Sequence, residues 1–368
     1  MSKVSVGFLG LGVSLPTHVR TNAFWGDRLA ARREAHKRDD ILAIRHGTDG
    51  RSVDVPAATA AAMAARRDDP FGGSKLRHVI DDAEMGSDLE ARAGNAAMAD
   101  AGIAPEDIDL VLVASLPQDR MVPTNAPAVQ AKCGLVNASA WCLDVGCAST
   151  QPQLLAAAAL IATGAAKHVL IVQSQVNSRT VDQESHLAPG FGDGAAAAVI
   201  GVVPDGYGLL GTYLRTDGSL REGVVLAPSR NGKPLREWWE ASDGPPRLAT
   251  FDADAGKLAG IKGPEFCRLA CLEALSAAGV RLEDISLFVC NQSVSWFADA
   301  CRRALGLPAD RLIDTYEEVA NIGGAAILLN LHRARELGRV KRGDTLLLYS
   351  PGAGYTRAAA VVRWWGTA

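Results

Sequence analysis

The chain repeats itself. Ala101-Gly102-Ile103, followed by Glu106-Asp107-Ile108-Asp109-Leu110-Val111-Leu112-Val113, reads against Ala278-Gly279-Val280, followed by Glu283-Asp284-Ile285-Ser286-Leu287-Phe288-Val289, and 177 residues separate Gly102 from Gly279. In each copy a helix rich in Ala and Leu stops at glycine, a short acidic turn follows, and a near-continuous apolar run reads as a buried parallel strand. A second pair lies at nearly the same offset, 174 residues between Gly164 and Gly338: Leu160-Ile161-Ala162-Thr163-Gly164 then His168-Val169-Leu170-Ile171-Val172, against Arg335-Glu336-Leu337-Gly338 then Asp344-Thr345-Leu346-Leu347-Leu348. Both copies close with a Gly-rich turn and an Ala/Val-rich strand, at Gly192-Asp193-Gly194-Ala195-Ala196 and at Gly352-Ala353-Gly354-Tyr355-Thr356. Two similar α/β halves are predicted, residues 1–205 and 206–368, divided at the turn Pro204-Asp205-Gly206.

The repeat singles out two residues. Cys147 lies 17 residues before Gly164, and Asn321 lies 17 before Gly338, so the two hold equivalent places. Each is expected at the start of the long helix that follows a strand, where unpaired backbone N–H groups and the helix dipole favour a thiolate or a developing oxyanion. Halves packed about a pseudo-twofold axis bring those two helix starts to one site.

Composition narrows the class. With 368 residues, 48% hydrophobic and 21% charged, the chain can bury a large core. Its longest largely apolar stretch, Leu154 to Ala166, is shorter than the roughly 20 residues of a membrane span, and no signal segment opens the chain, so a cytoplasmic protein without membrane attachment is expected. A formal net charge of −3 gives no nucleic-acid footprint, although carrier-protein docking needs only a local basic patch. Seven cysteines, an odd count with no CxxC pair, argue against a disulfide framework. Cys267 and Cys271 stand four apart on an expected helix without nearby His partners, so they read as packing residues and no metal site is expected.

Two segments carry a family resemblance. Leu143-Asp144-Val145-Gly146-Cys147-Ala148 and Gly190-Phe191-Gly192-Asp193-Gly194-Ala195-Ala196 resemble the nucleophile segment and the GDGA-type segment of ketoacyl-ACP synthase III enzymes, of the thiolase-fold superfamily. The likeness starts at Gly10-Leu11-Gly12-Val13-Ser14-Leu15-Pro16 and Arg20-Thr21-Asn22, resumes near Leu76-Arg77-His78 and runs to the C-terminus. The glycines from Gly7 to Gly12 do not have the G-x-G-x-x-G spacing of a dinucleotide site, and a strand and turn fit them better. The resemblance implies a five-layered αβαβα fold, a homodimer, and a nucleophilic Cys147 acylated from coenzyme A or acyl carrier protein, with no tightly bound cofactor. It also implies an oxyanion hole from the backbone N–H groups of Cys147 and Gly354.

The sequence departs from that family at two places. The family site is Cys, His and Asn; Asn321 matches the Asn, but Cys290-Asn291-Gln292 puts Asn291 where the His belongs. An amide can donate a hydrogen bond to an oxygen but cannot take up a proton near pH 7 as imidazole does, which weakens the case for decarboxylative chain extension and leaves acylation of Cys147 open. Transfer to an acceptor that needs little deprotonation, such as an amine or a thiol, stays feasible. His186 is a candidate replacement base, although a loop-ordering role fits it better; Ser149 and Thr150, expected one turn into the helix, are weaker candidates for nucleophile than for capping or packing. The second departure runs from about Phe24 to Gly73 and includes the charge-rich Arg32-Arg33-Glu34-Ala35-His36-Lys37-Arg38-Asp39-Asp40, read as a solvated helix face in place of the family's cofactor-gripping loop. Trp296 stands where the family often has a phosphate-contacting Arg, and Arg302 and Arg303 are expected to keep positive charge nearby.

The reading is a thiolase-fold acyltransferase of specialised, polyketide- or fatty-acid-like metabolism, including antibiotic biosynthesis, with catalytic Cys147, Asn291 and Asn321. The alternatives are decarboxylative condensation with a malonyl-type donor, Asn291 and Asn321 forming a two-amide enolate hole, and a non-catalytic partner subunit of a synthase.

Overall fold

A computed structural model describes residues 4–26, 54–66, 69 and 71–366; the charge-rich run from Arg32 to Asp40 lies outside them. Ten strands form two five-stranded sheets. In chain order they are β1 (Val6–Ser14), β2 (Leu110–Leu116), β3 (Ser139–Cys142), β4 (Val169–Val176) and β5 (Asp193–Val202), then β6 (Gly208–Thr216), β7 (Leu287–Cys290), β8 (Leu312–Ile313), β9 (Thr345–Gly352) and β10 (Thr356–Arg363). The first sheet has the order β1-β5-β4-β2-β3 and the second β6-β10-β9-β7-β8. Adding five to each strand number turns one order into the other. Directions repeat as well: β2, β3 and β4 are mutually parallel, as are β7, β8 and β9, while β5 and β10 run antiparallel to their neighbours.

Six helices complete the repeat: α1 (Gly86–Ala101), α2 (Asn125–Lys132) and α3 (Thr150–Ala162) in the first half, α4 (Ala253–Ala278), α5 (Phe297–Leu305) and α6 (Ala326–Glu336) in the second. Strand alternation sorts them into layers, because successive side chains leave opposite faces of a sheet. Leu110, Leu112, Val169 and Ile171 face inward, as do Leu346 and Leu348 of the other sheet, and between them pack Leu154, Ala157 and Ile161 of α3 with Ile327, Leu328 and Leu331 of α6. Val111, Val113, Leu170 and Val172 face outward onto α1 and α2, and Phe288, Leu347 and Val361 face outward onto α4 and α5. The result is the five-layered αβαβα arrangement of the thiolase fold, with α3 and α6 forming the middle layer.

Sequence chemistry explains the joints. The glycines that end the repeated helices, Gly102 and Gly279, cap α1 and α4 in the left-handed conformation at φ 66° and 64°, which glycine adopts at little cost. The opening glycines lie within strand β1, and Gly12 lets α1 approach the sheet so closely that a Cβ there would fall 2.1 Å from the Ala93 carbonyl oxygen. They serve helix-on-sheet packing, with no part in a nucleotide turn.

Candidate functional site

Three backbone turns meet at the heads of the central helices. The first, Asp144 to Ser149, leads from β3 into α3; Ala148 and Ser149 N–H donate to the Val145 and Gly146 carbonyls at 3.3 and 3.2 Å. The second, Ala320 to Ala325, leads into α6. The third, Gly352 to Tyr355, joins β9 to β10 and is closed by Tyr355 N–H on Gly352 O at 3.0 Å. First and third turns touch through glycine: a Cβ on Gly352 would lie 2.4 Å from Val145 O and 2.9 Å from the Ala148 Cβ, and one on Gly146 would lie 3.0 Å from Ala353 N. First and second meet where a Cβ on Gly324 would lie 3.5 Å from Gly146 O, with Thr150 Oγ1 reaching Gly324 O at 3.5 Å. Cys147, Asn321 and Gly354 therefore sit on three turns packed against one another.

Cys147 precedes α3 by three residues and keeps partial exposure, while Ser149 and Thr150 are fully buried. Ser149 is the N-cap of α3 and Thr150 its first residue, so neither lies a turn inside the helix as the sequence suggested. The Ser149 hydroxyl is committed to the turn: it donates to Gly146 O at 2.7 Å and accepts from Val145 N–H at 2.8 Å. Burial pushes the Cys147 thiol up to about 11, the Asp144 carboxylate adds to the rise, and the residue's own backbone N–H opposes it. Desolvation of the charged form thus outweighs the backbone donor that the helix start supplies in favour of a thiolate.

Asn321 is held on every side. Its backbone N–H donates to Gly190 O at 3.0 Å, and its carbonyl accepts from Gly192 N–H at 3.1 Å and from Asn177 Nδ2 at 2.8 Å. Its side-chain oxygen accepts from Gly323 N–H at 2.8 Å and its amide nitrogen donates to Ser293 O at 3.0 Å. Just ahead, Ala320 adopts φ 57° and ψ −149°, a region rarely occupied by anything but glycine, and its carbonyl is gripped by Gln292 Nε2 at 3.0 Å. The Gly190-to-Asp193 segment thus supports Asn321. Buried Asp193 in turn accepts from Ile80 N–H and Ser178 N–H, each at 2.8 Å.

Asn291 follows directly on β7 and is fully buried. Its amide nitrogen donates to Gly323 O at 2.6 Å, and its side-chain oxygen has no hydrogen-bond partner. One of the two amide hydrogens is thus taken and one is left, while the side-chain oxygen has no partner.

The remaining candidates fall elsewhere. His186 is half-buried in the loop that leads to Ala188–Gly190. Trp296 is partly buried against the α4–α5 layer, and Arg302 and Arg303 share one partner, Asp299, at 2.7 Å, so the trio keeps one net positive charge. Cys267 and Cys271 are buried in α4 with their sulfurs 3.8 Å apart, and no group of three or more metal-ligating side chains with metal-holding geometry occurs among the described residues. No helix among them is long and apolar enough to cross a membrane.

Two features escaped the sequence reading. A buried amide network backs the site: Thr150 Oγ1 donates to Gln173 Oε1 at 2.9 Å, Gln175 Nε2 to Asn177 Oδ1 at 2.8 Å, and Asn330 Nδ2 to Gln292 Oε1 at 3.1 Å. Its signal was present, since Gln173-Ser174-Gln175 interrupts an otherwise apolar strand. The other is Glu90 of α1, fully buried with Ser115, Ser174 and Asn125 donating to it, and raised to about 7 by desolvation against those bonds.

A duplicated five-layered α/β fold with a cysteine turn facing an asparagine turn defines the class: thiolase-fold enzymes of acyl transfer and condensation. The profile of 3-oxoacyl-[acyl-carrier-protein] synthase III matches residues 143–218, and that family's C-terminal profile matches residues 275–364. The chain is 31% identical to the beta-ketoacyl-[acyl-carrier-protein] synthase III of Caldanaerobacter subterraneus over 293 residues, 79% of this chain and 87% of the relative. It superposes on the crystal structure of the synthase III of Thermus thermophilus with a TM-score of 0.76 at 32% identity, covering 98% of this chain and 100% of that one. Xanthomonas campestris OleA shares the fold at 21% identity, with a TM-score of 0.77 and 98% of both chains covered. The chain belongs to the beta-ketoacyl-[acyl-carrier-protein] synthase III family.

Proposed function

We propose that this chain is an acyltransferase of specialised metabolism that takes an acyl group from a coenzyme A or acyl-carrier-protein thioester onto Cys147 and passes it to a second molecule. The halves 1–205 and 206–368 act as the two units of the site, one carrying the nucleophile and the other Asn291 and Asn321. In this reading the backbone N–H groups of Cys147 and Gly354 hold the thioester oxygen, donors that are typically worth about 10²–10³ in rate. The observation that carries it is Asn291: where the resemblance implies an imidazole, an amide stands with its nitrogen bonded to Gly323 O. That group neither takes up a proton near pH 7 nor turns a free donor fully on a substrate carbonyl.

Condensation with a malonyl-type donor is the second reading, and the names of the relatives favour it. Against it, the side-chain nitrogens of Asn291 and Asn321 are each already bonded to a backbone carbonyl, which leaves a two-amide enolate hole one hydrogen from each. We also propose a homodimer, paired through β3, an outer strand of its sheet whose Trp141 is 49% exposed.

The test is incubation with a panel of acyl thioesters, followed by intact mass and peptide mapping. A single acyl adduct on Cys147, absent from Cys147→Ala, supports the reading. An adduct on Ser149, or one undiminished in Cys147→Ala, contradicts it.

A further inference from the structure

Three consecutive residues just past β7 grip the turn that carries Asn321. Asn291 Nδ2 donates to Gly323 O at 2.6 Å, Gln292 Nε2 donates to Ala320 O at 3.0 Å, and Ser293 O accepts from Asn321 Nδ2 at 3.0 Å. The middle contact bears on a strained point. Ala320 is held at φ 57° and ψ −149°, a region that glycine alone enters at little cost. Turning the Ala320–Asn321 peptide over by about 180° would leave this φ unchanged and bring ψ to roughly +30°, inside the left-handed helical region where an L-residue meets fewer clashes. The turned peptide is therefore the one that Ala320 itself prefers, and the observed one has to be held.

Two hydrogen bonds hold it, one at each end of that peptide. Its N–H, from Asn321, donates to Gly190 O at 3.0 Å, and its carbonyl, from Ala320, accepts from Gln292 Nε2. Gln292 is fully buried and its direction is fixed, because its side-chain oxygen accepts from Thr315 N–H at 3.2 Å and from Asn330 Nδ2 at 3.1 Å. Facing two donors with its oxygen, the amide must turn its nitrogen to Ala320. Rotation of the gripped peptide would change the backbone angle of Asn321 as well, and so move the side chain that Gly323 N–H and Ser293 O now fix. Resting on the reading above, in which Asn321 orients the acyl group, we propose that Gln292 is a positioning residue for acyl transfer. It holds the Ala320–Asn321 peptide in its strained direction and thereby aims the Asn321 amide, acting through that residue and not on the reactants.

The test follows single-turnover loading of Cys147 in the full-length protein by intact mass, over a range of hexanoyl-coenzyme A concentrations, to give a maximal rate and a half-saturation concentration. Gln292→Met keeps the length of the side chain and removes its donor. The maximal rate should fall at least about tenfold while half-saturation stays within about twofold. In Asn321→Ala, itself slowed, the same change should cost less than about a further twofold, because both losses act through one amide. Adding Ala320→Gly to Gln292→Met should bring the rate back to within about threefold of the unmodified protein, since glycine keeps the strained direction unaided. A role in packing alone would show no such rescue. An undiminished rate in Gln292→Met overturns the proposal, as does a loss that adds fully to that of Asn321→Ala or is not recovered with Ala320→Gly. Should Gln292→Met not fold, Ala320→Val puts the same question, because a β-branched residue resists that conformation further, and undiminished loading again overturns it. Loading that needs Asn321 but not Gln292 removes this inference alone. Loading indifferent to Asn321→Ala removes the role of Asn321 with it, and no adduct on Cys147 removes the acyltransferase reading as well.

Discussion

The two halves share a strand order and a helix plan, yet the turns they bring together differ in chemistry. The first half contributes ionisable groups, Cys147 and Asp144, in a turn tightened by Ser149. The second contributes neutral amides, Asn291 and Asn321, fixed by backbone partners. The scaffold occurs twice, and the residues at equivalent helix heads differ; in the proposed function the first half makes the bond and the second orients the reactants. Any pH dependence at the facing turns should accordingly trace to the first half, and choice of reaction to the second.

The harshest way to break this arrangement is to force the turns apart. Gly352→Val places a branched side chain where a Cβ would already meet Val145 O at 2.4 Å, so the Gly352–Tyr355 turn and the Cys147 turn must separate. Single-turnover acylation of Cys147 should fall by about 10²-fold or more, with circular dichroism reporting whether the fold persists.

Glu90 sharpens the contrast through stability. Its folded value of about 7 lies above the 4.5 of an ordinary glutamate, so the folded state holds the proton more tightly than the unfolded chain. The associated stability is fully present below about pH 4.5 and is lost as pH rises through about 7, by up to about 3 kcal/mol. Denaturant melts of Glu90→Gln across that window should show the slope removed; an unchanged slope would mean that other groups cause it.

Asp144 tests the ionisable half directly. Its carboxylate raises the Cys147 thiol, so Asp144→Asn should lower that value and speed iodoacetamide alkylation of Cys147 at pH 8 several-fold, read by peptide mapping because Cys142 is also exposed. Slower alkylation would mean that Asp144 matters chiefly by ordering Gly146 and Ser149. The smallest effect belongs to Ser149→Ala. Its hydroxyl ties the turn, so loading should slow by less than about tenfold and remain on Cys147.

Much of this was legible in the sequence. The offset between Gly102 and Gly279 announced the duplication, and the apolar runs at Leu110–Val113 and Leu346–Leu348 announced strands buried on both faces. The pairing of Cys147 with Asn321 followed from counting. The direction of the Asn291 amide could not, because it is set by a carbonyl 32 residues away. The raised thiol was hidden for a related reason. A helix head favours thiolate, while desolvation by the surrounding layers opposes it, and only packed coordinates show which effect is larger. Glu90 shares an Ala-rich helix with Asp88 and Asp100 and nothing in the sequence sets it apart, yet it alone meets the strand serines Ser115 and Ser174.

Whether the amide at position 291 turns the site from condensation toward plain transfer, as proposed above, is measured most directly by release of carbon dioxide from malonyl thioester. The unmodified protein should decarboxylate slowly, and Asn291→His should raise that rate by about 10²-fold or more, within the range general acid–base groups contribute, provided the ring fits without overpacking. Rapid decarboxylation by the unmodified protein, abolished in Asn291→Ala, would contradict the account and put condensation in place of transfer.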